Sequence, residues 1–196
     1  MNKKLRIPAL LSALAIAGGW SSLAVTEEVV TPASHHHGPS SDARGPVNEL
    51  VKVVRDSTVR FRDVAVAQAE GYGLLFGCVS GSDWGAMGLH YVNLAKVGDG
   101  ELDPTQPEIV IYEPMPDGRL RLIGADFLVF AEQWHAKHPD PPQLMGQLMH
   151  LFEDPNRFGL PAFYTLHVWA WKDNPNGTFV NWHPKVSCDS FKSPTS

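Results

Sequence analysis

The stretch Ala162-Phe-Tyr-Thr-Leu-His-Val-Trp-Ala-Trp171 alternates with period two. Tyr164, Leu166, Val168 and Ala170 fall on one face, and Thr165, His167, Trp169 and Trp171 on the other. Period two marks a β-strand, and two apolar faces mark a strand buried on both sides. His167 sits in its middle. A buried polar group left without a partner costs roughly 1–3 kcal/mol, so the strand poses the question of what this imidazole meets.

Working outward, residues 47–71 carry apolar side chains at helical spacing (Leu50, Val53, Val54, Phe61, Val64, Ala65). Asn48 is the expected cap, a break is expected near Ser57-Thr58 with Thr58 capping a second segment, and Gly71 and Gly73 end the helix. Short segments separated by turn signals follow. Strands are expected over residues 74–79, 87–94 and 108–113, with a long polar loop over 97–107. Pro114-Met-Pro-Asp-Gly118 is a turn into a hairpin partner that begins at Arg119 and runs on to Phe130. A short helix over 131–137, a short helix or strand over 143–152 and an irregular tail after Asn174 complete the order. A helix followed by mainly antiparallel strands predicts an α+β fold, with the leading helix packed on a curved antiparallel sheet or partial barrel.

The N-terminus reads as an export signal. Lys3, Lys4 and Arg6 precede a short apolar run, and Ser22-Leu-Ala24 supplies small residues for cleavage near Val25. The run is too short to cross a membrane as a helix. Residues 25–46 are rich in Pro, Ser and Gly and predict a flexible leader, with His35, His36 and His37 as adventitious metal ligands. Residues 47–196 then form the expected single domain, in a secreted or periplasmic protein. Cleavage removes three basic and no acidic residues, moving the net charge from −5 to −8. Such a chain is a poor partner for nucleic acid or an anionic membrane. In an oxidising compartment the two cysteines, Cys78 and Cys188, predict a disulfide.

Four polar side chains stand in apolar sequence: His90, Glu113, His150 and His167. Three imidazoles and a carboxylate are a ligand set for Zn, Fe, Mn or Cu that leaves positions open for substrate. In that reading Glu113 is ligand or general base, and Tyr91 and Tyr112 stand behind the ligands. None of the four shows a short metal spacing, so their convergence depends on the fold. The aromatic cluster containing Tyr164, Trp169 and Trp171 predicts the walls of a pocket for a flat or apolar ligand. His135 and His138 read as a solvated helix end, and His183 as a surface residue. Asp99, Glu101 and Asp103 resemble a calcium loop only loosely, because its closing Gly-x5-Glu is missing. No nucleophile elbow, P-loop, dinucleotide fingerprint or haem attachment motif occurs.

Several phrases together resemble a family of exported, mostly uncharacterised bacterial proteins. They include Gly85-Ala-Met-Gly-Leu-His-Tyr-Val-Asn93, Tyr112-Glu-Pro114, Asn156-Arg-Phe-Gly-Leu-Pro161, His167-Val-Trp-Ala-Trp171 and Val186-Ser-Cys188. The resemblance covers roughly residues 58–188 and implies export but no activity. The family pattern has Glu at the position of Thr165 and Asn at that of His183. Two functions are therefore expected as alternatives. One is a metal-binding protein with a His/Glu pocket, extending to a metal-dependent enzyme that acts on a small molecule. The other is a metal-free binder of an aromatic or apolar ligand.

Overall fold

A computed structural model describes residues 41–192. The expected signal segment, most of the leader and the three adjacent histidines lie outside the described residues. Helix α1 (Ser41–Thr58) opens the fold, followed by a 3-10 turn (Val59–Arg62) and helix α2 (Val64–Ala69). Strands β1 (Gly73–Gly81) and β2 (Gly85–Val92) come next, then helix α3 (Leu94–Asp99). Strands β3 (Ile109–Pro114) and β4 (Leu120–Phe130) lead into helix α4 (Ala131–His135). A small hairpin, β5 (Gln143–Leu144) and β6 (Gln147–Leu148), precedes β7 (His150–Phe152) and β8 (Phe163–Val168).

Six strands form one antiparallel sheet in the order β1-β2-β3-β4-β8-β7, curled into a half-barrel. The expected α+β class with a curved sheet is what the chain builds. Strands β1 and β2 run Gly73–Gly81 and Gly85–Val92 against the expected 74–79 and 87–94, α4 ends at His135 and not at 137, and the helical segments before β3 also differ. Helix α1 starts at Ser41, ahead of the expected start at 47, because its polar leading turns carry no apolar period to read. Its continuation is capped by Asp63, whose side chain accepts from the Ala65 amide, and not by Thr58. The first part of the expected 97–107 loop belongs to α3, whose start is capped by Asn93.

The alternation read from the 162–171 stretch sorts the core into two layers. Phe127, Val129, Tyr164, Leu166 and Val168 point to the convex face, where Leu50 and Val54 of α1 cover them. Val110, Tyr112 and Leu122 continue that layer under Phe61 and Ala67. Fully burying an aliphatic or aromatic side chain of this kind contributes about 1.5–3 kcal/mol. Side chains of the opposite parity (Ile109, Ile111, Leu128, Phe163 and Trp169) form the concave layer with Val186 from the tail.

Polar groups lock the helical layer in place. The Trp171 indole donates to Thr58 Oγ1 at 3.0 Å, and the Tyr112 hydroxyl donates to the Phe61 carbonyl at 2.7 Å. The period-two reading therefore fails at its end. The strand stops at Val168, and Trp171 turns to the helix side instead of sharing a face with His167.

The tail closes the concave side. Ala86 of β2 and His183 exchange both backbone hydrogen bonds, at 3.2 and 3.1 Å. Cys78 and Cys188 are joined, as expected, across 110 positions. Among the described residues no helix is long and apolar enough to cross a membrane.

Candidate metal centre

His90, Asp126 and His167 each offer one donor atom, and the three atoms lie within 4.8 Å of one another. Each comes from a different strand. Asp126 of β4 and His167 of β8 are direct cross-strand partners, which puts both side chains on the concave face. His90 is on β2, three strands away from β8. In a flat sheet that separation is about 14–15 Å. Two ring lengths span most of it and the curl of the sheet spans the rest, so His90 Nε2 stands 3.4 Å from His167 Nε2. All three residues are buried, with exposures of 7%, 3% and 3%.

Glycine makes the approach possible. Gly88 has φ +94°, and a Cβ there would stand 2.6 Å from the Tyr112 carbonyl oxygen. This backbone, open only to glycine, directs its own carbonyl at His90 Nδ1, 3.2 Å away. A carbonyl oxygen only accepts, so His90 carries its proton on Nδ1 and presents the Nε2 lone pair to the site. On β8, the Thr165 hydroxyl donates to Asp126 Oδ1 at 2.5 Å and fixes the carboxylate. His167 Nδ1 lies 3.4 Å from the same oxygen without hydrogen-bonding to it. Asn181, whose buried Oδ1 also lacks a partner, stands beside the ring, and its side chain pulls the imidazole pKa up against desolvation.

Burial dominates the electrostatics. Desolvation, with the neighbouring His167, lowers the pKa of His90 to about 4, against the pull of Asp126. Desolvation, with the charge of His150, lowers that of His167 to about 3. Desolvation raises Asp126 to about 6, opposed by His90 and by the Thr165 hydroxyl. At neutral pH the group is two neutral imidazoles and one carboxylate.

That state gathers several acceptor atoms around one point. If His167 carries its proton on Nε2, a bare Nδ1 faces the carboxylate oxygen. If it carries the proton on Nδ1, its Nε2 lone pair faces the Nε2 lone pair of His90. The second tautomer sets acceptor against acceptor in a buried site; in the first, the neutral Asn181 side chain stands beside the bare nitrogen. Two nitrogens bound to one tetrahedral ion at about 2.0–2.1 Å stand about 3.3–3.4 Å apart, which matches the His90–His167 separation of 3.4 Å.

The donors open into a cavity of about 40 Å³. Its walls are Phe76, Met87, Val92, Ile109, Leu128, Phe152, Phe158, Leu160 and Phe163, with Thr165 beside the donors. About 10–15 Å³ accommodates one water-sized centre, so the space suits a few water-sized groups.

Of the four expected ligands, His90 and His167 converge and the other two do not. Glu113 is buried at the end of β3, where Lys172 Nζ lies 2.7 Å away and Arg121 also binds it. Burial pushes its pKa up, but the two cations outweigh that and lower it. Glu113 is thus held as a paired anion, not as a ligand or base of this site. His150 is exposed on edge strand β7; its backbone pairs with Thr165 and its ring stays out of the donor group.

The expected accessory residues also fall elsewhere. Tyr91 and Tyr112 pack edge-to-face on the convex side, 5.1 Å between centroids. Tyr164 lies on that side too, its hydroxyl donating to His135 Nε2 at 2.9 Å. Trp169 is on the concave side, 5.9 Å from the His167 ring, but lines no part of the cavity, and its indole donates to the Val180 carbonyl. The pocket walls are phenylalanine and aliphatic, not tryptophan and tyrosine. His183, expected at the surface, is fully buried, with both ring nitrogens bonded to the backbone.

Asp126 is the site residue the sequence reading passed over. The signal was present: it is the one acid within Leu120-Arg-Leu-Ile-Gly-Ala-Asp-Phe-Leu-Val-Phe130. Like Glu113, it is a lone acid in an apolar strand.

Glu108 is a third buried carboxylic acid, after Asp126 and Glu113. Burial raises Glu108 from 4.5 to about 8, although the Leu128 amide donates to its Oε2 at 3.0 Å. Its folded pKa stands above the unfolded one, so its contribution to stability is full below pH 4.5 and is lost as pH rises towards 8. Glu108→Gln keeps an acceptor for Leu128 and removes the titration. Its melting temperature relative to wild type is expected to rise between about pH 5 and pH 8 and to level off above that; a flat difference across this range counts against the assignment.

No family model matches the chain, no curated protein matches it in sequence, and no solved structure matches its fold. The site is read from its own geometry.

Proposed function

We propose that the protein is an exported, metal-dependent protein in which His90, Asp126 and His167 hold one divalent transition metal at the inner end of an apolar cavity. The observation that carries this reading is two imidazole Nε2 atoms at the spacing of a metal-ligand edge beside a buried carboxylate, the three donor atoms within 4.8 Å of one another. Two histidines and a carboxylate without thiolate suit Zn, Fe, Mn or Cu and leave coordination positions for a small molecule. When bound, the metal supplies a Lewis acid or redox centre. The chain's own contribution is to fix the His90 tautomer through Gly88, hold the carboxylate through Thr165 and keep water out with phenyl rings.

The apolar walls also favour a second reading, in which the cavity takes a small apolar ligand with no metal. The two separate on metal content. Full-length protein without a purification tag, with His35, His36 and His37 replaced by Ala, is expected to bind one equivalent of Zn²⁺ or Co²⁺. Co²⁺ is expected to show the absorption bands of a low-symmetry site. Less than ~0.2 equivalents after incubation with metal overturns the metal reading, because such a site binds stoichiometrically once its ligands are deprotonated. Ligand binding that survives a chelator then supports the second.

A further inference from the structure

The cavity has an outer vestibule. Phe76 and Phe158 line both the inner cavity and an open recess of about 270 Å³ on the surface. Their rings lie 5.6 Å apart and form the boundary between the two spaces. Phe76 is half exposed and has φ 64°, a left-handed conformation uncommon for a residue with a side chain. It occupies a bulge in β1, where the register slips between Leu75 and Cys78. The strand thus turns one phenyl ring out over the mouth.

Arg157 stands in the vestibule. Its guanidinium carbon is 5.8 Å from the Phe158 ring and 5.2 Å from the Trp182 ring, and Nη2 donates to the Ser80 carbonyl at 3.0 Å. Among the described residues no carboxylate lies within salt-bridge distance of it, unlike Arg60, Arg119 and Arg121. A guanidinium has five N–H donors in a planar fork matched to a carboxylate. Here one is used, the plane is steadied by aromatic rings, and the rest face solvent at the entrance to an apolar cavity.

We infer that Arg157 anchors the carboxylate of a small apolar monocarboxylate, whose short hydrocarbon chain passes Phe76 and Phe158 into the cavity. This rests on the proposed metal centre for what lies at the inner end, where the far end of the ligand meets His90, Asp126 and His167. An acidic protein repels anions in general, so a cation without a partner at the mouth gives selectivity that net charge does not. A neutral molecule of the same shape lacks the partner the guanidinium needs.

The probes are hexanoate and its neutral counterpart hexanamide, titrated calorimetrically into zinc-treated full-length protein. Arg157→Met keeps the apolar stem on Phe158 and Trp182 and removes the fork. Hexanoate is expected to bind more tightly than hexanamide, and Arg157→Met is expected to weaken hexanoate about tenfold or more while leaving hexanamide within about twofold, since a hydrogen bond to a charged group contributes about 1.5–3 kcal/mol. Equal affinity of Arg157→Met and wild type for hexanoate overturns the inference, as does the absence of saturable hexanoate binding. Repeating the titrations on Asp126→Asn separates the two ideas. If the Arg157 effect persists there and neither protein takes up zinc, the anchor stands and the metal reading fails. If wild type holds one zinc but Arg157→Met binds hexanoate unchanged, the metal stands and the anchor fails.

Discussion

Asp126→Asn is expected to abolish stoichiometric zinc binding while leaving the fold intact. Asn is the same size, and its amide oxygen still accepts the Thr165 hydroxyl that now lies 2.5 Å from the carboxylate. What is lost is the only negative charge in the donor group. Two neutral imidazoles remain, and the affinity is expected to fall more than ~100-fold, beyond the 10- to 100-fold typical of losing a supporting group. Thr165→Val removes such a support and is expected to fall within that smaller range. Metal-induced stabilisation reads both effects. At free zinc near 100 times the wild-type Kd, wild type gains about 2.7 kcal/mol and Asp126→Asn less than about 0.4 kcal/mol.

The pH dependence has a definite sign. Metal needs the ionised carboxylate and neutral imidazoles, so protons compete with it. Binding is expected to be full above about pH 6, where Asp126 is ionised, and to weaken as pH falls through that value. Protonation of His90 at about 4 and His167 at about 3 then removes it altogether. Zinc affinity that is independent of pH between about 7 and 5 would place the ion elsewhere.

The double replacement Cys78→Ser, Cys188→Ser is expected to produce the largest loss of stability. The bond closes a loop with 110 positions between its ends. The chain-entropy model assigns about 4–5 kcal/mol to loops of that length. Domains of this size have about 5–15 kcal/mol in total. At about 2–4 °C per kcal/mol, the melting temperature is expected to drop by roughly 8–20 °C. The structural consequence is specific. Cys78 follows the bulge that carries Phe76, and Cys188 ends the segment in which His183 is bridged to Ala86 and Val186 packs on the concave layer. Cutting the bond frees the two flanks of the cavity from each other. A drop under ~2 °C, less than 1 kcal/mol on that scale, would mean that the His183–Ala86 bridge and the Trp169–Val180 hydrogen bond hold the tail unaided.

Much of the architecture was legible in the chain. The period-two run around His167, the Pro114–Gly118 turn and the helical spacing of Leu50, Val54 and Phe61 are local patterns, and each specifies an element and its buried face. The pairing of Cys78 with Cys188 needed only a count of cysteines and an oxidising setting. Two of the site's three donors, His90 and His167, stood out as imidazoles in apolar strands.

The third donor did not, and the reason is geometric. Glu113 and Asp126 look alike in sequence, each a single acid in an apolar strand. Which one meets His167 depends on strand register: Asp126 pairs directly with His167, whereas Glu113 pairs with Arg121 at the sheet's end. Nothing near Glu113 in sequence announces Lys172, 59 positions away.

The chain by itself determined the elements, their faces, the covalent closure and the presence of buried imidazoles, because these follow from nearest-neighbour periodicity and composition. Tertiary structure alone decided the donor set, because register and curl are long-range properties. Only the curl of the sheet over three strands brings His90 from β2 to within 3.4 Å of His167 on β8, and so sets two lone pairs and a carboxylate around one point.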